Sequence, residues 1–67
     1  MEKKLIEAGI RNLKEFGYPS VTEENILTDD IYKAFFERML VGTKEDAKNN
    51  PEIRMACDKL IMKINGV

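Results

Sequence analysis

The stretch Asp29–Val41, DDIYKAFFERMLV, constrains this chain more than any other part of it. Wound as an α-helix, it spreads Ile31, Tyr32, Phe35, Phe36, Met39 and Leu40 over an arc of roughly 180°, at about 100° per residue. Lys33, Ala34, Glu37 and Arg38 take the other half. One neighbouring helix cannot cover so wide an apolar arc, so this helix is expected to lie between two partners at the centre of the core. Two of the three phenylalanines and one of the two tyrosines fall here, and much of the aromatic burial with them.

Before this stretch, Leu5, Ile6, Gly9, Ile10, Leu13 and Phe16 recur at helical spacing, with the ladder Lys3, Glu7, Arg11, Glu15 on the opposite face. Gly9 lies inside the apolar stripe. A glycine there costs about 1 kcal/mol relative to alanine, which predicts the close approach of another backbone. Gly17 and then Pro19 end the helix. In the connector, Ser20 or Thr22 can cap a short helical turn that begins with Glu23 and Glu24, and Val21, Ile26 and Leu27 attach it to the core. Thr28 reads as a fresh N-cap for the central helix, a continuous helix over Thr22–Val41 being the alternative.

Gly42 reads as the end of the central helix, and Thr43 with Asp46 offers one further short turn. Asn50 followed by Pro51 is a start signal, N-cap then first helical residue. The last helix then carries Ile53, Ala56, Cys57, Leu60, Ile61 and Ile64 inward and stops at Asn65-Gly66. The expected fold is all-α, a compact three-helix single domain over residues 1–67, with helices near 2–16, 29–41 and 51–64 and short turns between them. Its expected core is Leu5, Ile6, Ile10, Leu13, Phe16, Ile26, Leu27, Ile31, Phe35, Phe36, Met39, Leu40, Ile53, Cys57, Leu60 and Ile64.

Composition narrows the function classes. The chain has 67 residues, enough for one domain, and 11 basic residues nearly balance 12 acidic ones. No overall field draws it to nucleic acid or an anionic membrane. One cysteine excludes an internal disulfide, and the absence of histidine excludes the usual zinc frameworks and the Ser-His and Cys-His nucleophile pairs. The opening MEKKLIEAGI has no apolar run of signal-peptide length, and nothing approaches the ~20 residues of a membrane span. A cytoplasmic protein that is not an enzyme, with no cofactor, no metal and no small-molecule substrate, is the expectation.

The carboxylates Glu23, Glu24, Asp29 and Asp30 cluster in sequence, but both pairs sit at helix N-termini, where the macrodipole favours them. They also lack the spacing of a calcium loop. Cys57 falls on the inward stripe and reads as a core thiol. A helix–turn–helix regulator is the alternative function, since a turn precedes the central helix. That helix would present Asp29 and Asp30 to the phosphates, however, and offers only Lys33 and Arg38 in return. The last helix is better supplied, with Arg54, Lys59 and Lys63, yet these scatter over half its circumference.

The stretch YPSVTEENILTDDIYKAFFERML, about a third of the chain, resembles short reading frames of bacteriophages and prophages in its Tyr-Pro turn, ENILTD and aromatic helix. The resemblance implies an origin as a small accessory protein of a phage or mobile element. It brings no site residues with it.

Two places offer apolar surface beyond what one small core needs. One is the flank of the central helix at Tyr32, Phe36 and Leu40. The other is Met55 and Met62, seven residues apart on the last helix and opposite its inward stripe. Methionine packs adaptably against partners, and a symmetric dimer is the commonest closed assembly. The chain is therefore expected to be a protein-interaction or self-associating module, a homodimer or the binder of another protein.

Overall fold

The structure, a computed structural model, describes residues Met1–Val67. Helix α1 (Glu2–Glu15) leads through a 3-10 turn (Asn25–Leu27) into helix α2 (Asp30–Asp46), and helix α3 (Pro51–Ile64) closes the chain. As expected for the widest apolar arc, α2 is the central element: it packs most extensively on α3 and also touches α1 and the 3-10 turn.

The ends of the elements follow from local chemistry. At the α1 C-terminus, Gly17 takes φ 101°, the left-handed region. This lets the Tyr18 amide donate to Leu13 O at 3.0 Å and the Gly17 amide to Lys14 O at 3.1 Å, a Schellman motif. The same motif closes α3, with Gly66 at φ 72° and the Val67 amide on Met62 O. In the connector, Thr22 and Asn25 cap each other. The Thr22 amide donates to Asn25 Oδ1 at 2.7 Å, and the Asn25 amide donates to Thr22 Oγ1 at 3.1 Å. This is a capping box with asparagine in the usual glutamate position.

The chain does break before α2, but one residue later than Thr28. Asp29 is extended, with ψ 131°, and its Oδ1 accepts the amides of Ile31 and Tyr32 at 2.9 and 3.1 Å. The Thr28 hydroxyl is turned back to Glu24 O instead. Asn50 caps α3 as anticipated, its Oδ1 taking the Ile53 amide at 3.3 Å, with Pro51 as the first helical residue.

Gly42 does not end α2, which runs on to Asp46. Glycine stops a helix by adopting positive φ, and Gly42 does not. Instead Thr43, far from opening a new turn, sits in the helix and donates its hydroxyl to Met39 O at 2.9 Å. The additional turn is tied to α3 by Lys44 Nζ, 2.6 Å from Asp58 Oδ1, and Thr43 and Ala47 are half-buried there.

The core comprises Leu13, Val21, Ile26, Phe36, Leu40, Cys57, Leu60 and Ile64. Leu5, Ile6, Ile10, Leu27, Met39 and Ile53 pack around it half-buried. Gly9 is where the close approach occurs, although the neighbour is a side chain and not a backbone. A Cβ at this position would lie 2.7 Å from two carbons of the Phe36 ring and 3.0 Å from Ile26 Cδ1. Three residues expected in the core lie outside it: Phe16, Ile31 and Phe35. The buried side of α2 is centred between Phe36 and Leu40, so the far edge of its apolar arc overhangs the seam with α1.

Candidate interaction surface

That overhang forms an aromatic surface. Phe16 is the C-cap of α1, so its side chain leaves the helix just where the Gly17 turn carries the backbone away. Tyr18 follows the turn. From α2 come Ile31, Tyr32 and Phe35, within the first two turns after the Asp29 cap. The Phe35 ring lies 5.8 Å from that of Phe16 and 5.7 Å from that of Tyr18, and Tyr18 meets Tyr32 edge-on at 5.8 Å. Those distances are favourable for aromatic pairs. Phe16 is 72% exposed, Ile31 55% and Phe35 39%.

Below these rings runs a groove of about 260 Å³ between α1 and α2. Its floor is Gly9, Leu13 and Phe36, and its walls are Phe16, Phe35 and Met39. Two polar side chains complete the lining, Asn12 and Arg38. Asn12 Nδ2 donates to Met39 Sδ at 3.2 Å, which fixes the thioether along one wall. The ion pairs of the chain join Lys33 to Asp30, Lys44 to Asp58 and Lys63 to Glu2, and none involves Arg38. The groove therefore offers a mostly apolar site with one guanidinium at its rim.

The residues singled out from the sequence do not share a surface. Phe36 and Leu40 are 1% and 0% exposed, inside the monomer, because α1 and α3 close over that flank of α2. They cannot touch a partner. Tyr32 is half-buried in the aromatic cluster. Met55 and Met62 are exposed, at 60% and 50%, on the outer side of α3. The surface that sequence reasoning misplaced is Phe16, Ile31 and Phe35, assigned to the core for want of an overt signal. Phe35 and Phe36 are adjacent and so about 100° apart around the helix, too far for both to centre one contact. The pattern alone does not say which of them is outside.

The remaining candidates are accounted for by packing. Cys57 is fully buried, and burial first, then the neighbouring Asp58 carboxylate, pushes its thiol above 9.0 against a smaller lowering by Lys44. Asp29 is a cap and Asp30 pairs with Lys33 at 3.3 Å. No group of three or more Cys, Asp and Glu side chains is arranged to hold a metal ion. No helix is long and apolar enough to cross a membrane. Compared with known proteins, the chain matches no family model, no curated sequence and no solved structure.

Proposed function

We propose that this chain is a non-enzymatic protein-interaction module whose docking surface is the groove between α1 and α2. The observation that carries the reading is Phe16, a large aromatic side chain left mostly in water at the rim of an apolar groove. Interaction surfaces are anchored by aromatic residues and arginine in desolvated pockets, and this groove has both at hand. Met55 and Met62 form a separate, smaller apolar line on the outer side of α3, away from this groove. The resemblance to phage and prophage reading frames makes the module an accessory protein of a mobile element, acting in the reducing cytoplasm where a lone thiol is stable.

The helix–turn–helix reading has less behind it. The amides at the start of α2 are already taken by Asp29, and Asp30 adds a second carboxylate where phosphates would have to sit. On α3, Lys63 is engaged by Glu2 and Arg54 donates to Lys48 O.

Photo-crosslinking in cells tests the docking surface. A benzoylphenylalanine in place of Phe16 or Phe35 should give protein adducts, and the same group in place of exposed Lys4 should not. Adducts no more abundant from positions 16 and 35 than from position 4 would remove the groove from consideration.

A further inference from the structure

Helix α3 stops at Asn65-Gly66, the one place in the chain where an asparagine precedes a glycine. This pair is chemically the most prone to deamidation, because a residue without Cβ lets its own amide nitrogen fold back onto the asparagine side chain. Asn12, Asn25 and Asn49 are followed by the bulkier Leu13, Ile26 and Asn50, and Asn50 by Pro51, which has no N–H. In the fold, both reacting groups are engaged. Asn65 Nδ2 donates to Glu37 Oε2 on α2 and to Ile61 O on α3, each at 3.0 Å, so both of its protons are used. The Gly66 amide donates to Lys63 O at 3.2 Å. The Asn65 amide group is thus a latch between the end of α3 and the side of α2.

We propose that Asn65-Gly66 is a self-modification site gated by this latch, so that opening of the last turn of α3 becomes irreversible. In the open turn the Gly66 nitrogen attacks Asn65 Cγ. A bond forms between them, the Cγ–Nδ2 bond breaks, and ammonia leaves with the amide proton of Gly66. Water then opens the cyclic imide at either carbonyl, giving aspartate or isoaspartate. Neither product can close the latch again. Aspartate has no proton to give Glu37 or Ile61 O, and it sets a carboxylate against the one already there. Isoaspartate also lengthens the main chain by a methylene, which displaces the Val67 amide from Met62 O. New negative charge at a helix C-terminus is further opposed by the macrodipole. The surroundings do not compensate. Asp30, Lys33 and Glu37 line the hollow beside Asn65, and Lys33 already pairs with Asp30 at 3.3 Å. Lys63, two residues back, is held by Glu2 at 3.3 Å.

Ageing of the purified full chain at physiological temperature and pH tests this, with peptide mapping by mass spectrometry and isoaspartyl methyltransferase labelling as readouts. Asn65 should be the main site of modification, at least about tenfold slower in the native chain than in guanidinium chloride, the weight of the hydrogen bonds that open. Glu37→Ala should speed the native reaction about fivefold, as befits one lost hydrogen bond, and leave the denatured rate unchanged. Glu37→Gln, which keeps an acceptor, should stay close to the parent. Asn65→Asp, which copies one product, should lower the hydrogen-exchange protection of the Gly66 and Val67 amides about fivefold. Combining it with Glu37→Gln, which supplies a donor to the new carboxylate, should restore that protection. Modification concentrated at another asparagine overturns the proposal. So do equal native and denatured rates, a native rate indifferent to Glu37→Ala, or full protection of the last turn in Asn65→Asp.

Discussion

Phe35 and Phe36 share a peptide bond and have opposite fates, and the difference is measurable. Phe36 is enclosed by Gly9, Ile26 and the rest of the core, so Phe36→Ala should cost about 3–5 kcal/mol. Phe35, at 39% exposure, should cost less than about 2 kcal/mol when cut to alanine, because much of its surface is in water already. Urea unfolding of the two variants checks the order, and equal losses would mean that the buried face of α2 is wrongly placed. Gly9 and Gly42 make a second contrast. Gly9→Ala drives a methyl into the Phe36 ring and should destabilise by ~1–2 kcal/mol, even after the gain in helix propensity. Gly42→Ala meets nothing within 4 Å and should stabilise by up to about 1 kcal/mol. Opposite shifts in the thermal midpoint are the expected result. Cys57 gives a pH-dependent case. Its proton is held more tightly in the folded chain, so this contribution to stability is complete below pH 9.0 and is lost as pH rises through the higher folded value. At pH 8 a thiol reagent should therefore react with Cys57 only as fast as the chain opens.

Helix boundaries were legible wherever a side chain or a special backbone angle sets them. Asn50-Pro51, Gly17 and Asn65-Gly66 each do in the fold what their chemistry suggests, because each satisfies amides or carbonyls from within a few residues. Gly42 misled for the converse reason. A glycine near a polar run looks like a stop, yet the last turn of α2 is tied to α3 by the Lys44–Asp58 pair, with Thr43 and Ala47 half-buried beside it in the chain. No local pattern reports such contacts. The cap at Asp29 was misplaced by one residue since Thr28 and Asp29 are both good caps, and only the backbone shows which is extended. The element-scale test is Asp29→Ala. It frees two amides and should cost ~1–2 kcal/mol, whereas Thr28→Ala should cost under about 1 kcal/mol. A larger loss at Thr28 than at Asp29 would return the cap to Thr28.

For the molecule as a whole, the width of the apolar arc on Asp29–Val41 was informative and its centring was not. The sequence showed that α2 has more apolar surface than one neighbour can cover, and two neighbours do cover most of it. Which edge is left over depends on how α1 and α3 settle against α2, and that is decided by long-range fits such as Phe36 over Gly9. Hence Phe36 and Leu40 are interior and Phe16, Ile31 and Phe35 form the candidate surface. Methionines provide the most direct test of this placement, because the chain has four, one of them in the groove. Met39 lines the groove, Met55 and Met62 lie on the outer side of α3, and Met1 is at the start of α1. With carbon-13 in the methionine methyl groups, NMR spectra are recorded over a dilution series from millimolar to micromolar. The expected result is a concentration-dependent shift of the Met39 methyl while those of Met55 and Met62 stay still. Shifts at Met55 and Met62 with Met39 unmoved would contradict the groove as the surface on which copies of this chain meet, and no shift at any of them would contradict self-association.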